Sequence, residues 1–151
     1  MRWLTSHRLS PPDGQLYDVC ADRMRRLRAE VRVLFAAQVD AAVPPEAAVS
    51  ALNEALTRVP TTALLVWGAA AGPRRVQAHP TDQAVNHALA TLAADAAALL
   101  TGPDSTRLAR CGAAPCDRLL VRTHGRRHWC STRCGDRVRA ARARQKSALP
   151  A

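Results

Sequence analysis

Four cysteines near the C-terminus have the types and spacing of ligands in a structural metal site. Cys111, Cys116, Cys130 and Cys134 follow the pattern C-x4-C-x13-C-x3-C, in which a basic loop separates two close pairs. Zinc prefers four soft ligands in a tetrahedron, and two short-range pairs allow two turns of the chain to supply two thiolates each. The spacing therefore predicts a Zn²⁺ site with these four residues as its ligands.

The same cysteines could instead form disulfides, or could share the metal with histidines. A disulfide framework is typical of secreted chains, but the first 14 residues contain two arginines and two prolines and lack the apolar core of a signal peptide. Only seven residues separate Cys116 from His124, whereas a finger with two cysteines and two histidines needs about twelve. His128 is the better placed histidine, but four thiolates already complete the shell.

The net charge of the chain lies entirely in its cysteine-bearing part. The chain holds 22 basic and 12 acidic residues, a net charge of +10. Residues 107–151 contain 12 basic and 2 acidic residues and so carry the whole +10, whereas residues 1–106 contain 10 of each. A neutral region followed by a strongly basic metal module is typical of proteins that bind nucleic acid.

Arginine supplies nearly all of this positive charge, since Lys146 is the one lysine. Its planar guanidinium binds a phosphate or a guanine edge through two hydrogen bonds, although an Arg-rich and Ala-rich composition also reflects a GC-rich genome. The low aromatic content of 3% offers few side chains for base stacking, which favours DNA over RNA. We expect contacts to nucleic acid from Arg126, Arg127, Arg133, Arg137, Arg139, Arg142 and Arg144.

Apolar periodicity predicts helices in front of the cysteines. Residues 16–39 place Cys20, Met24, Leu27, Val31 and Leu34 at steps of four and three, which is one face of a helix. A second helix is expected to start after Pro44-Pro45 and to end at Pro60. A third is expected to begin at Thr81 as N-cap and to end at Gly102-Pro103.

Shorter patterns predict the remaining elements. Residues 61–67 and 74–79 form a predicted β-hairpin around a glycine-bounded alanine turn. Within the cysteine module, we expect residues 119–121 to pair with the residues before Trp129, and Ser131 to cap a final helix that reaches Lys146. Trp129 is expected to pack over the metal shell.

The run RHWCSTRCGDR, from Arg127 to Arg137, resembles the signature of the CGNR zinc-finger family. These bacterial proteins carry that finger after a domain named ABATE, and the family is described as stress-induced regulators of transcription. The lead-in RLARC at residues 107–111 and the helical segments near Arg26, Leu52 and Leu92 follow the family's order. The resemblance therefore implies an ABATE-type domain in front of the finger.

Two positions depart from the family pattern. Asp136 stands where the family usually has asparagine, and a carboxylate beside a tetrathiolate metal site is unfavourable unless a cation neutralises it. We expect Arg137 to do so, and to support the metal shell as well as to contact nucleic acid. The second departure is the lack of an Asp-Phe-x-Asn-Thr-like motif, so the chain is expected to be N-terminally shortened relative to the family.

These patterns predict an α+β protein: a mainly helical N-terminal domain with a small β-hairpin, then a small four-cysteine zinc finger built from a short hairpin and a C-terminal helix. We expect the ABATE-like domain at residues 1–106, the finger at 107–147 and a disordered tail at 148–151. The longest apolar run, from Ala63 to Gly72, is half of what crosses a bilayer, so no membrane association is expected.

The composition and the resemblance together imply a zinc-dependent, DNA-binding regulator of transcription in the cytoplasm. A homodimer is expected, because one small finger seldom recognises DNA tightly by itself. The alternative is a protein-interaction or ligand-sensing module in which the finger is a docking element. An enzyme is not expected, because a site with four thiolates is coordinatively closed and no activated nucleophile accompanies it.

Overall fold

The computed structural model of the chain describes Ser6 and residues 18–59, 63–69, 71–77 and 84–147. It divides into two compact units: unit 1 contains residues 1–31 and 45–98, and unit 2 contains residues 32–44 and 99–151. The first long helix therefore contributes residues to both units. The predicted N-cap Thr81 and the predicted tail 148–151 lie outside the described residues.

Unit 1 is built from helices that follow the predicted periodicity. Helix α1 spans Asp18–Val39, helix α2 spans Glu46–Thr57 and helix α3 spans Ala84–Thr101. All three are rich in alanine, the strongest helix former. The predicted helices are confirmed over the residues that the structure describes, and α2 ends three residues before Pro60.

The buried side chains of unit 1 are small. Among the residues that the structure describes, six of them are alanines, Ala48, Ala55, Ala88, Ala90, Ala93 and Ala96. The larger buried side chains there are Leu27, Leu52, Val59, Leu89 and the polar His87. Because alanine side chains let helix backbones approach closely, this core depends on tight packing rather than on aromatic bulk.

The predicted hairpin of unit 1 is present as a two-stranded antiparallel sheet. Strand β1 spans Ala63–Gly68 and strand β2 spans Gly72–Gln77, with Gly68 opposite Gly72 at the turn. Gly72 has a φ of +67°, a left-handed conformation that glycine adopts without steric cost. The sheet leaves large apolar side chains of β1 exposed, among them Leu65 at 68% and Trp67 at 74%.

A capping motif ends helix α1 at its predicted boundary. The N–H of Ala42 donates to the carbonyl of Ala37 at 2.9 Å, and the N–H of Ala41 donates to that of Gln38 at 3.4 Å. This is the Schellman pattern, in which the residue after the helix adopts a left-handed conformation, here Ala41 with a φ of 51°. The motif fixes Asp40 at the end of the helix, and Pro45 then opens α2.

Unit 2 contains the cysteine module. A 3-10 helix at Pro103–Arg107 leads into strand β3, Leu108–Arg110, which pairs antiparallel with strand β4, Leu119–Val121. Helix α4 spans Thr132–Ser147. The α+β class, with a helical first part, a small hairpin, a cysteine cluster and a C-terminal helix, is confirmed.

The predicted partner of strand β4 is wrong. We expected residues 119–121 to pair with the residues before Trp129, but they pair with β3. The N–H of Cys111 donates to the carbonyl of Arg118 at 2.8 Å, and the N–H of Arg122 donates to that of Arg107 at 2.9 Å, which closes both ends of the ladder. The segment after β4 forms turns instead, where the N–H of Arg127 donates to the carbonyl of His124.

Two ion pairs join the last part of α1 to the cysteine module within unit 2. The guanidinium of Arg32 donates to the Asp117 carboxylate at 2.5 Å and to the Asp117 carbonyl at 2.7 Å. Arg110 donates to both carboxylate oxygens of Asp40, at 3.2 and 2.5 Å. The unit that carries the cysteines therefore includes two residues that lie 85 and 70 positions before their partners in the chain.

The hydrogen bond from Arg110 lowers the pKa of the Asp40 carboxyl below its usual value, and burial opposes this only in part. A lowered folded-state pKa means that the pair contributes fully above the unfolded pKa of about 3.9 and is lost as the pH falls further. The pair is thus complete at neutral pH.

Within the described residues, no helix combines the length and hydropathy of a membrane span.

We expect Asp40→Asn to speed metal release from the cysteine module of the full chain at neutral pH, because Arg110 loses its bidentate partner. The effect should be small, since both side chains are about half exposed and exposed pairs contribute little. A chromogenic chelator would follow the release in moderate urea. Asp95→Asn, an exposed carboxylate of α3, is the matched control, and equal release rates for both variants would contradict the stabilising role of the pair.

Candidate metal centre and basic helix

The four cysteines meet in one cluster at the start of helix α4. Cys111 directly follows β3, Cys116 lies before β4, Cys130 precedes α4 and Cys134 lies in its first turn. Their four sulfur atoms all lie within 4.8 Å of one another. The Sγ atoms of Cys116 and Cys130 are 3.7 Å apart, and those of Cys130 and Cys134 are 3.6 Å apart.

These distances fit a tetrahedral metal site and not disulfides. A disulfide joins sulfurs at about 2.0 Å, and all four cysteines are free thiols. Metal–sulfur bonds of about 2.3 Å in a tetrahedron place the sulfurs about 3.8 Å apart. The separations of 3.6 and 3.7 Å agree with that value, and all four sulfurs lie within 4.8 Å of one another, so the four side chains are grouped closely enough to share one metal ion.

The thiols influence one another strongly. Burial raises the pKa of the Cys111 thiol, but hydrogen bonds from the backbone N–H groups of Cys130 and Ala113, together with neighbouring thiols, bring it down to about 7. Burial and the neighbouring thiols raise the pKa of Cys130 to about 11. Adjacent thiols cannot all ionise without a cation, because each thiolate disfavours the next. A bound divalent ion removes this conflict.

The backbone around Cys134 is held by a cap and by close packing. The N–H of Cys134 donates to the Ser131 hydroxyl at 3.3 Å, which confirms Ser131 as the N-cap of α4. The hydrogen bond from Ser131 also lowers the pKa of Cys134. A Cβ placed on Gly135 would lie 3.1 Å from Cε3 of Trp129, so glycine allows the indole to pack against the helix.

Trp129 occupies the predicted structural position. It packs, half-buried, against the buried cluster formed by Cys111, Ala113, Leu120 and Cys134. The guanidinium carbon of Arg139 lies 5.9 Å from the centre of the indole, a cation–π contact. The exposed face of the ring is thus partly covered by an arginine of α4.

The prediction that Arg137 neutralises Asp136 is wrong, because Arg139 forms that ion pair. Arg139 donates to the Asp136 carboxylate at 2.5 Å, three residues away on the same helix. Arg137 instead donates to the carbonyl of Ala113 at 3.0 Å and contacts Sγ of Cys134 at 3.6 Å. Its expected support of the metal shell is therefore seen, with a carbonyl acceptor that the sequence pattern did not indicate.

The other arginines predicted to contact nucleic acid are available. Among the described residues, the side chains of Arg126, Arg127, Arg133, Arg142 and Arg144 have no hydrogen bond or ion pair. All but the half-buried Arg127 are exposed. The structure thus separates two arginines that hold the module together from five that present charge to solvent.

The two histidines of the basic loop do not join the metal cluster. His124 and His128 are exposed, and the cluster found among the described residues contains cysteines alone. The backbone carbonyl of His128 accepts a hydrogen bond from the N–H of Gly112 at 2.9 Å, which links the loop to the residue after the first cysteine.

The sequence patterns did not indicate Arg32 and Asp40, because no local pattern links them to residues so distant in the chain.

Comparisons with known proteins match two family models to successive parts of the chain. The model of the ABATE family, described as "Putative stress-induced transcription regulator", matches residues 1–103. The model of the CGNR zinc finger matches residues 107–147. No curated protein matches the chain.

We expect the purified chain to contain one divalent metal ion, and Cys134→Ser to lose it. Loss of one thiolate from a four-ligand site leaves the shell open, and metal binding supplies much of the folding energy of such modules. Elemental analysis gives the stoichiometry, and thermal melting gives the stability. Cys20→Ser in α1 is the matched control, and a Cys134→Ser chain that keeps its metal and melting temperature would contradict the assignment.

Proposed function

Because the chain belongs to the ABATE family and carries a CGNR zinc finger, we propose that it is a Zn²⁺-dependent, DNA-binding regulator of transcription and not an enzyme. Four thiolates are the donor set that Zn²⁺ prefers in closed structural sites. The proposed role of Zn²⁺ is to hold β3, β4 and α4 together, so that α4 presents its arginines in a fixed arrangement. The metal takes no part in a reaction.

The observation that carries this proposal is the set of unpaired arginines on α4. Arg133, Arg142 and Arg144 are exposed and have no ion-pair partner among the described residues. Arg133 and Arg144 lie eleven residues apart, about 16 Å along one side of the helix, while Arg142 points to the opposite side. A helix with cations on both sides can reach phosphates on both strands when it approaches a groove about 12 Å wide.

Attraction between arginines and phosphates contributes affinity for DNA of any sequence and little preference between sequences. Contacts from arginine to phosphate release condensed counterions, so binding weakens steeply as salt rises. The excess positive charge of +10 lies in residues 107–151, which belong to unit 2. Base contacts from the same helix would add sequence preference.

We expect the zinc-loaded full chain to bind a labelled mixed-sequence DNA duplex, and the double variant Arg142→Gln with Arg144→Gln to bind more weakly. The slope of log affinity against log salt should fall by about 0.9 for each arginine that contacts a phosphate. Fluorescence anisotropy across a salt series gives both quantities, and single-stranded RNA of the same sequence tests the preference for DNA. The full chain is used because Arg32 and Asp40 belong to unit 2.

Arg75→Gln, an exposed arginine of β2, is the control for net charge and should leave the salt slope unchanged. Absence of DNA binding by the zinc-loaded chain at about 50 mM salt would contradict the proposal. Recovery of a protein partner after nuclease treatment, without DNA binding, would support the alternative function of protein docking.

We also propose that the chain forms a homodimer through strand β1. Leu64, Leu65 and Trp67 are exposed at 55%, 68% and 74%, and β1 has no charged residue. Strand β2, in contrast, carries Pro73 and a pair of arginines, which protect an edge from pairing. A two-stranded sheet is marginal alone, and pairing of β1 with β1 of a second copy gives four strands.

We expect Trp67→Glu to convert the dimer to a monomer in sedimentation velocity, because a buried carboxylate without a partner disfavours the interface. Val43→Glu, at a loop position that is 94% exposed, is the matched control and should remain dimeric. A wild-type chain that sediments as a monomer across the micromolar range would contradict the dimer.

A further inference from the structure

Unit 1 contains a cavity of about 290 Å³ that is lined by residues of helices α1 and α2, by Arg58 and by Leu89 of α3. Its apolar floor is formed by the buried side chains Leu27, Ala55 and Leu89, with Ala51 beside them. Its rim carries five charged residues, Arg23, Arg26, Glu30, Glu54 and Arg58. Apolar cavities with a few convergent polar groups are the usual form of small-molecule sites.

Two of the rim arginines are held by neighbours within the unit. Arg23 donates a hydrogen bond to Oδ1 of Asn86 in α3. Arg58 lies 3.7 Å from the Glu54 carboxylate, one helical turn earlier. The hydrogen bond to Asn86 positions the guanidinium of Arg23 at the rim, whereas Arg58 and Glu54 are exposed and largely neutralise each other.

Arg26 and Glu30 differ from the other rim residues because they have opposite charges but do not pair with each other. They are four residues apart on α1, a spacing at which such side chains usually meet. Neither has a hydrogen bond or ion pair within the part of the chain that the structure describes. Both line the cavity instead. One cation and one anion, about one helical turn apart, therefore face the same space.

We infer that this cavity binds a small zwitterionic carboxylate of the amino-acid class. The Arg26 guanidinium matches a carboxylate with two parallel hydrogen bonds, and the Glu30 carboxylate accepts from an ammonium group. The apolar floor takes an aliphatic side chain. The rim has three cations and two anions, so a ligand with a carboxylate complements it better than a ligand with an amine alone. The volume lies just below the usual range of ligand sites, which starts at about 300 Å³, and suits a single amino acid.

The site is independent of the metal cluster and of the arginines on α4, since every residue that lines it belongs to unit 1. A test of amino-acid binding therefore does not depend on DNA binding, and a negative result for one proposal does not contradict the other. The probes are the twenty standard amino acids, tested singly on the zinc-loaded full chain. Acetate, ethylamine and inorganic phosphate provide each charge separately.

We expect at least one amino acid with an aliphatic side chain to raise the melting temperature saturably, and calorimetry to give one site per chain. Arg26→Gln and Glu30→Gln should each weaken that binding by about tenfold or more, because each removes a charge-assisted hydrogen bond. Arg28→Gln, an exposed neighbour on α1 that does not line the cavity, should bind as the wild type does.

Three results would overturn the inference. One is the absence of a saturable shift with any amino acid. Another is equal binding by Arg26→Gln, Glu30→Gln and the wild type, which would place the ligand elsewhere. The third is tighter binding of phosphate or acetate than of every amino acid, which would assign the cavity to a simple anion. Arg26 and Glu30 make no contacts that hold the fold, so both variants should fold.

Discussion

The cysteine module depends on the constraint that four ionisable thiols share a space less than 5 Å across. Two of them, Cys111 and Cys134, form one buried cluster with Ala113 and Leu120, and Leu108 and Ala109 of β3 are buried as well. A core of this size cannot stabilise some forty residues by apolar burial alone. The four sulfur atoms therefore form the centre around which β3, β4 and α4 are arranged, and a metal ion bound there would supply the stability that this small core lacks.

The same constraint explains why the arginines of the module divide into two groups. Four thiolates around a divalent ion carry a net charge of about −2, which attracts nearby cations. Arg137 lies against this charge at Sγ of Cys134, and Arg139 neutralises Asp136 while covering Trp129. The Arg139–Asp136 pair is itself exposed, with side chains at 61% and 68%, so salt screens it as it screens the unpaired arginines, which act over no more than a Debye length of about 8 Å at physiological ionic strength. One residue type thus supports the fold and forms the charged surface.

Much of this arrangement follows from local sequence patterns, and the rest depends on contacts between distant residues. The cysteine spacing, the helical periodicity and the cap at Ser131 are properties of short segments, and each was predictable. Strand β4 contains three apolar residues that suit any partner, so its pairing with β3 depended on backbone hydrogen bonds at both ends of the ladder. The choice of Arg139 over Arg137 as partner of Asp136 likewise depended on the Ala113 carbonyl, which competes for Arg137.

The contacts of α1 with the cysteine module depend on the number of residues between Arg32 and Asp40. Arg32 and Asp40 must reach Asp117 and Arg110 together, and a helix connects them. One inserted or deleted residue between them would turn one side chain by about 100° relative to the other and shift it by about 1.5 Å. A longer turn between β1 and β2 would rotate no paired side chain in this way and would cost little conformational entropy. A change of length between Arg32 and Asp40 should therefore separate one of the two ion pairs, at a small cost because both are exposed, whereas a change in the hairpin turn should separate neither.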